Sequence, residues 1–336
     1  MDPKVNAIRL TASKPNATVA VLIPCYNEAL TVAKVVSDFK RVLRSADIYV
    51  YDNNSNDDTR MLARDAGAVV RRETLQGKGY VVRRMFADVE ADIYVLVDGD
   101  DTYDAGAASD MVSMLTNEHL DMVTATRHAE EVGAYRRGHR LGNRIFTGTV
   151  RLIFGARIED VLSGYRVFSR RFVKSFPALS TGFEIETELT VHALELKMPI
   201  GELLTTYKPR PEGSTSKLHA IRDGIRIVRM IADLIRSERP LPFFSGIGGI
   251  LFVLGMALGI PVVTEFIHTG FVPRLPTAML AVSFVLSAVF FVNSGLILDS
   301  VAHGRREIKR LAYLSLPALS PHTSEEFDDS RVRTRQ

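Results

Sequence analysis

Residues 93–101 read IYVLVDGDD, a short apolar run that ends in acidic residues. A bounded apolar run of this length, rich in β-branched and aromatic residues, predicts a buried strand that runs to Asp98. Two earlier segments follow the same plan. Residues 19–24 read VAVLIP and stop at a proline, and residues 48–52 read IYVYD and end at Asp52. The chain is therefore expected to contain buried strands, two of which end in carboxylates.

Helical spacing separates these strands. Apolar residues recur three and four positions apart at Val32, Val35, Val36 and Phe39, which predicts a helix. Further helices are predicted over 58–66, 79–89, 105–115 and 182–196, and further strands over 68–71 and 122–126. Strands that alternate with helices imply right-handed crossovers and a mostly parallel, Rossmann-like sheet with helices on both faces. The predicted fold class is therefore α/β.

Charge and cysteine content exclude several classes of protein. A net charge of +3 over 336 residues, without a long run of Lys or Arg, is too mild for a nucleic-acid partner. The single cysteine, Cys25, excludes an intramolecular disulfide framework and a cysteine zinc cluster. Residues 1–18 contain no apolar run long enough for a signal peptide. We expect them to be an N-terminal extension, with the next domain in the cytoplasm.

The chain after Pro240 has a different composition. Residues 241–264 and 275–298 each lack charged residues, and about 20 apolar residues span a bilayer core. They predict a two-helix transmembrane hairpin over 241–300; the alternative is a buried helical hairpin in a soluble protein. Lys and Arg flank the hairpin on both sides, and only Arg274 lies between its helices. The positive-inside rule therefore places both termini in the cytoplasm.

Three further boundaries follow from this hairpin. In residues 218–238, isoleucines and arginines fall on separate helical faces. This pattern predicts an amphipathic helix in the lipid headgroup layer. The alternative is a surface helix packed on the domain. The α/β domain then spans 19–217, and residues 301–336 form a cytoplasmic C-terminal tail. We expect the protein in the cytoplasmic (inner) membrane, which it crosses twice.

Acidic side chains at two strand ends predict a ligand site. Ligands bind open α/β sheets beyond the carboxyl ends of the strands, where Asp52, Asp98 and Asp100 fall. Asp98 and Asp100 flank one glycine in a turn, which brings two hard oxygen ligands toward one point. Mg²⁺ or Mn²⁺ suits this arrangement, because such an ion binds through one or two carboxylates plus substrate phosphate oxygens. The alternative is an ordinary solvated acidic turn.

Seven motifs then occur in a fixed order: VLIPCYNE (21–28), YDNNSNDDT (51–59), QGKGYVVRRMF (76–86), DGDDTYD (98–104), LSGYRVFSRR (162–171), GFEIETEL (182–189) and RPEGSTSK (210–217). With the hairpin, they make the chain resemble family 2 glycosyltransferases of the polyprenyl-phosphate type, which include dolichol-phosphate mannose and glucose synthases. The resemblance covers residues 19–311. It implies a GT-A-like fold and metal-dependent transfer of a sugar from a nucleoside-diphosphate sugar to a polyprenyl phosphate (undecaprenyl or dolichyl phosphate).

The resemblance also assigns the donor side of the site. Its nucleotide-sugar residues are Pro24, Tyr26, Asn27, Glu28, Asp52, Lys78 and Asp98, the last of which holds the metal together with Asp100. In this assignment Asp52 accepts a hydrogen bond from the base; alternatively, it caps the next helix through an Asx turn. Gly77 and Gly79 around Lys78 are similar to a phosphate-approach loop. At Thr102 the chain departs from mannose synthases, which often carry a further polar metal contact there, so ligation from Thr102 is open.

Basic residues are concentrated between the predicted strands and the hairpin. Arginine forks match phosphate oxygens well, and the resemblance places acceptor-phosphate ligands in this part of the chain. The candidates are Arg127, Arg140, Arg144, Ser163, Arg166, Ser216 and Lys217. For any single arginine the alternative is ordinary surface charge.

The resemblance implies an inverting reaction, in which an acceptor phosphate oxygen attacks the anomeric carbon and the diphosphate departs. The catalytic residues are then Asp100, Asp160 and Arg127, with Asp160 or Glu184 orienting sugar hydroxyls or acting as a base. The DGDDTYD motif is more similar to UDP-sugar users than to GDP-mannose users. Two other functions stay open: extension of a polysaccharide or lipid-linked oligosaccharide, and a membrane scaffold or nucleotide-sugar sensor. Relatives often form homo-oligomers, so self-association is open too.

Overall fold

A computed structural model of the chain describes residues 17–129, 147–155, 158–182, 184–209 and 231–319. Within these ranges one seven-stranded sheet forms the centre of the domain, in the order β3-β2-β1-β4-β6-β5-β7. Its strands are β1 (Val19–Cys25), β2 (Asp47–Asp52), β3 (Val69–Arg72), β4 (Ile93–Leu96), β5 (Met122–Ala129), β6 (Arg166–Ser169) and β7 (Ile200–Tyr207).

Helices connect and cover the strands. They are α1 (Val32–Val42), α2 (Thr59–Asp65), α3 (Lys78–Asp88), α4 (Ala107–Asn117), α5 (residues 147–154), α6 (Arg170–Ser175), α7 (Ile185–Glu195), α8 (residues 231–238), α9 (Pro240–Thr269) and α10 (Leu275–Leu314). Of the predicted amphipathic helix, only residues 231–238 are among those described, and they are helical.

Strand β1 sets the direction of the sheet. It pairs in parallel with β2 on one side and β4 on the other, so the carboxyl ends of all three strands meet at one edge. Cys25 lies opposite Asp52 there. Only β6 runs the other way, between β4 and β5. The predicted α/β class with a mostly parallel sheet is therefore confirmed.

Two strand ends differ from the prediction by two residues or more. β4 ends at Leu96, earlier than Asp98, although the Val97 N–H still donates to the Leu22 carbonyl at 3.1 Å. The chain then turns away, which frees the acidic residues for a loop. β5 extends to Ala129, beyond the predicted end at residue 126, because it pairs with β7 along its full length.

Each face of the sheet has its own apolar core, as expected when successive side chains of a strand point to opposite faces. Val21 and Ile23 pack in one core with Val36 of α1 and Met111 of α4. The alternating residues of the same strand join the other core, where Leu22 packs with aromatic and aliphatic residues of α3, α6 and α7. The sheet is therefore a rigid base for the side chains at its carboxyl edge.

Helices α9 and α10 are long and apolar enough to cross a membrane. Most of their large apolar side chains are exposed, for example Phe290 at 70% and Ile267 at 73%, which separates them from buried core helices of soluble proteins. They pack on each other along a seam of small residues seven positions apart: Gly248 and Gly255 on α9, and Ala281, Ala288 and Gly295 on α10. Small residues let helix backbones approach closely.

The segment predicted as a cytoplasmic tail, residues 301–336, is helical in its first part. Helix α10 continues without interruption to Leu314, so the first part of the predicted tail is an extension of the second apolar helix. This extension contacts the α/β domain, where Lys309 and Tyr313 bond to its side chains at 2.6 and 2.7 Å.

The seam between α9 and α10 predicts the effect of enlarging one glycine. A Cβ at Gly255 would lie 2.8 Å from Val285 Cγ2, whereas one at Gly249 would meet nothing within 4 Å. We expect Gly255→Leu to destabilise the helix pair by about 1–3 kcal/mol through overpacking. Gly249→Leu should leave stability nearly unchanged. Thermal unfolding in detergent measures both, and equal midpoints for the two variants would contradict the packing seam.

Candidate active site

The turn after β2 is built around a buried carboxylate. The Asp52 side chain is fully buried, and both its oxygens accept the Ser55 N–H at 3.3 Å. Arg60 on α2 places its Nε 3.6 Å from the same carboxylate. Asp52 therefore braces the turn, but it does not cap the next helix as the alternative prediction had it, because α2 begins at Thr59 with Asp58 at its N-cap position. Its contact with a nucleoside base stays a prediction.

The loop after β1 is tied to this turn. The Asn27 N–H donates to Ser55 Oγ at 2.9 Å and Asn27 Oδ1 accepts the Asn56 N–H at 2.8 Å, with Asn27 in the left-handed region at φ 53°. The Glu28 N–H donates to Thr59 Oγ1 at 2.9 Å. The predicted nucleoside-pocket residues are therefore held at the carboxyl edge, half-buried or exposed: Pro24, Tyr26, Asn27 and Glu28.

The loop after β4 fixes the two predicted metal ligands. Asp100 is 4% exposed and accepts the Thr102 hydroxyl at 2.6 Å, so Thr102 orients Asp100. The Asp98 side chain is more accessible, at 27%. Between them, a Cβ at Gly99 would lie 2.6 Å from Cys25 Sγ. Cys25 is thus the packed residue at a strand end, and its burial, reinforced by nearby carboxylates, raises the pKa of its thiol.

A buried ammonium group lies behind Asp98. Lys78 Nζ is 2.5 Å from Asp98 Oδ1 and 2.6 Å from Glu186 Oε1, and the Lys78 side chain is only 8% exposed. Burial alone would lower the pKa of Lys78, but the two carboxylates outweigh it and raise that pKa above its ordinary value. The chain therefore holds a positive charge beside Asp98.

Glu186 is a site residue that the sequence reasoning missed. It belongs to the GFEIETEL motif, in which only Glu184 is predicted as a site residue. Its position in the motif could have indicated this role, because Glu186 is the second residue of α7. A side chain at the start of that helix can face the sheet edge. Burial raises the pKa of Glu186.

The glycines beside Lys78 have a local structural reason. A Cβ at Gly77 would collide with the Thr181 carbonyl, and one at Gly79 with the Ser180 carbonyl. The Gly77 N–H also donates to Asn53 Oδ1 at 2.8 Å. The two glycines were predicted to let the backbone approach a phosphate. In the structure they let it approach residues 180–181 of the protein itself. A phosphate contact from Lys78 stays a prediction.

Arg127 and Asp160 form a bidentate pair at the end of β5. Arg127 donates from Nε and Nη2 to the Asp160 oxygens at 2.6 and 2.8 Å. Burial would raise the pKa of Asp160, but the hydrogen bonds from Arg127 hold it below the ordinary value. Glu202 Oε1 accepts the Glu159 N–H at 2.9 Å and steadies the same loop, and the Arg127 guanidinium lies 5.5 Å from the Tyr207 ring centroid.

Ser163 and Arg166 lie inside the protein, both 0% exposed. The Arg166 guanidinium donates to the Ser163 carbonyl at 3.0 Å, the Val161 carbonyl at 2.7 Å and Thr190 Oγ1 at 2.8 Å. Burial lowers its pKa to about 10, which still leaves it charged at neutral pH. For these residues the structure favours a role in positioning the loop over the direct phosphate contact predicted from sequence.

Four other predicted acceptor ligands lie outside the described residues, namely Arg140, Arg144, Ser216 and Lys217. Glu184 is half-buried at the N-cap of α7. The structure thus brings together Asp98, Asp100 and Lys78 at the edge where the loops after β1 and β2 also lie.

The side chains at this edge can hold a divalent cation only together with oxygen ligands from a bound phosphate. Among the described residues, no group of three or more His, Cys, Asp or Glu side chains is arranged to hold a metal. Asp98 and Asp100 supply hard carboxylate oxygens, which suit Mg²⁺ or Mn²⁺ when substrate phosphate oxygens complete the coordination. The site is therefore suited to an ion that arrives with a phosphate ligand.

Comparisons with known proteins agree with this arrangement. The family described as Glycosyl transferase family 2 matches residues 20–176. Glycosyltransferase AglJ of Haloferax volcanii is 36% identical over 299 residues, which cover 88% of this chain and 98% of AglJ. A dolichyl-phosphate hexose transferase of that organism is 26% identical over 221 residues, covering 66% of this chain and 95% of the relative.

A solved structure confirms the fold. Glucosyl-3-phosphoglycerate synthase from Mycobacterium tuberculosis, in complex with Mn²⁺, UDP and glucosyl-3-phosphoglycerate, aligns with a TM-score of 0.55 at 23% identity. The match covers 70% of this chain and 85% of that one. At this identity the likeness supports the GT-A-like fold alone.

The Lys78 ion pairs predict a stability effect. Lys78→Met leaves the partly buried carboxylates of Asp98 and Glu186 without their cation, which should cost up to about 3–5 kcal/mol. Lys34→Met is the matched control, because Lys34 pairs with Asp101 but is 56% exposed and should cost at most about 1 kcal/mol. Adding Glu186→Gln to Lys78→Met should restore part of the loss. Denaturant unfolding measures the free energy of unfolding of each variant. If the losses from Lys78→Met and Glu186→Gln simply added, the two residues would not be coupled.

Proposed function

The chain belongs to glycosyltransferase family 2, and from this premise we propose that it transfers a sugar from a nucleoside-diphosphate sugar to a polyprenyl phosphate, giving a lipid-linked monosaccharide. The observation that carries the proposal is that two exposed apolar helices are joined directly to the domain that holds the acidic site. An acceptor that is itself a membrane lipid explains why a sugar-transferring domain is held at a bilayer.

A relative supports the lipid acceptor. The dolichyl-phosphate hexose transferase of Haloferax volcanii shares 26% identity with this chain, and its name gives the class of acceptor. In our proposal α9 and α10 span the cytoplasmic membrane and both termini are cytoplasmic, as the charge flanks predict. Residues 19–217 form the catalytic domain, and residues 218–238 lie in the headgroup layer.

A divalent metal and a UDP-sugar are the proposed cofactor and donor. The mycobacterial neighbour was crystallised with UDP and either Mn²⁺ or Mg²⁺. Here Asp98 and Asp100 would hold the ion, which when bound neutralises charge that develops on the diphosphate leaving group. Thr102 keeps the Asp100 carboxylate in place. The half-buried loop at Tyr26 would receive the nucleoside.

The proposed reaction is a single displacement with inversion. An acceptor phosphate oxygen forms a bond to the anomeric carbon as the bond from that carbon to the diphosphate oxygen breaks. An ionised phosphate needs little general-base assistance, so the protein mainly positions and neutralises charge. Arg127 would bind the acceptor phosphate, and Asp160 fixes the orientation of its guanidinium through two hydrogen bonds.

Removal of one carboxylate tests the metal assignment. Asp100→Asn should abolish transfer, because a neutral amide is a poor ligand for Mg²⁺ or Mn²⁺, while folding and membrane insertion persist. Asp110→Asn, on the exposed side of α4, is the matched control and should keep full activity. The assay follows transfer of radiolabelled sugar by purified protein. Transfer by Asp100→Asn at the wild-type rate would overturn the assignment.

The acceptor and donor are tested together. We expect chloroform-soluble product on thin-layer plates when a UDP-sugar, Mn²⁺ and a polyprenyl phosphate are supplied.

Calorimetric screening of UDP- and GDP-sugars should show stabilisation by UDP-sugars, because a ligand that binds only the native state raises its apparent stability. Product on a lipid-linked oligosaccharide but not on polyprenyl phosphate would identify a chain-extending enzyme. Donor binding without transfer to any acceptor would identify a sensor.

A further inference from the structure

The cytoplasmic end of α10 is attached to the catalytic domain at two places. After the charge-free segment that ends at Leu298, the helix continues over residues 299–314, a length of about 24 Å at 1.5 Å per residue. We call the first attachment the clasp; it consists of Glu195, Glu238, Arg305, Arg306 and Lys309. The second is the latch, which consists of Asp121, Arg171 and Tyr313.

The clasp joins α7, α8 and α10 through one buried carboxylate and two backbone carbonyls, one of which is the Ser237 carbonyl that accepts from Arg305 at 2.9 Å. Lys309 Nζ is 2.6 Å from Glu195 Oε2, and the Glu195 side chain, at the end of α7, is 1% exposed. Arg306 lies 3.8 Å from the other Glu195 oxygen and donates to the Glu238 carbonyl at 3.1 Å. Burial and the charge of Glu195 raise the pKa of Glu238, which is 8% exposed. Three basic residues after the hairpin, Arg305, Arg306 and Lys309, are therefore bound by the protein.

The latch holds the last turn of α10. The Tyr313 hydroxyl donates to Asp121 Oδ2 at 2.7 Å. Arg171 donates to both oxygens of that carboxylate, at 2.5 and 2.8 Å, and its guanidinium lies 4.8 Å from the Tyr313 ring centroid. The Asp121 side chain is fully buried. A buried ion pair with an aromatic ring against it is a rigid contact.

Each attachment contacts one end of a strand or helix, and the other end of that strand or helix carries a site residue. Asp121 immediately precedes β5, which carries Arg127 about 20 Å further along at 3.3 Å per residue. Glu195 ends α7, whose second residue is Glu186, about 14 Å away along the helix axis. One strand and one helix thus connect α10 to Arg127 and to the ion pairs around Lys78.

We propose that residues 299–314 are a strut that sets the position of the catalytic site relative to the membrane, so that a lipid-borne phosphate meets Arg127 at a fixed height. The lipid acceptor in this statement rests on the proposed function. The mechanical part, a rigid connection between hairpin and catalytic domain, rests on the clasp and the latch alone.

The test removes the bonds of α10 to the Glu195 and Asp121 carboxylates, which anchor the two attachments, without leaving an unpaired buried charge. The strut variant combines Glu195→Gln, Lys309→Met and Tyr313→Phe, the last of which keeps the ring beside Arg171. Arg310→Met is the matched control, because Arg310 is an exposed neighbour on the same helix. Each protein is assayed with a long polyprenyl phosphate in vesicles and with a short, water-soluble prenyl phosphate.

We expect the strut variant to lose about tenfold in kcat/KM on the vesicle acceptor, since small misplacements of a site are costly. On the soluble acceptor it should stay within about twofold of wild type, because that acceptor diffuses to the site at any height. The control should match wild type on both. Equal losses on both acceptors, or no loss on either, would overturn the strut.

A distance measurement separates the strut from the proposed function. Cys25 is buried, so spin labels react selectively with cysteines introduced at the exposed positions Glu118 and Val301. The label-to-label distance distribution should be narrow in the otherwise unaltered protein and in Arg310→Met, and broad in the strut variant. A distribution of the same width in all three overturns the strut. Wild-type inactivity on both acceptors with the expected change in width overturns only the proposed function.

Discussion

The active-site region depends on one buried cation. Lys78 stands between Asp98 and Glu186 with ion-pair distances of 2.5 and 2.6 Å, and so connects the start of α3, the loop after β4 and the start of α7. Two carboxylates this close together in a buried place repel each other and are costly to desolvate unless a cation lies between them. The acidic loop can therefore keep its place at the sheet edge before any ligand neutralises it.

Close backbone packing makes this arrangement possible. Gly77 and Gly79 bring the start of α3 against the carbonyls of residues 180–181, and Gly99 lets the acidic loop rest on Cys25. A side chain at any of these glycines would push apart elements that have to be within ion-pair distance. The glycines of this loop thus have a structural function, and the donor-binding roles proposed for the neighbouring residues depend on that packing.

The site is also connected to the two apolar helices. Arg127 lies at the far end of the strand that begins after Asp121, and Asp121 is bonded to Tyr313 at the end of α10. The apolar helices and the site therefore belong to one connected set of rigid elements. Arginines and lysines that follow a membrane helix usually face lipid headgroups and water, but here Lys309 is bound to Glu195.

Local patterns in the sequence determined the strand and helix alternation, the carboxylates at Asp52, Asp98 and Asp100, and the two apolar helices, because periodicity and charge-free length are properties of neighbouring residues. Only the tertiary structure decided which charged side chains pair, since partners lie far apart in the chain: Lys78 meets Glu186 across 108 residues and Asp121 meets Tyr313 across 192. Arg127 and Arg166 look alike in sequence. One reaches the sheet edge and the other is enclosed, because burial depends on how the whole domain packs around each strand.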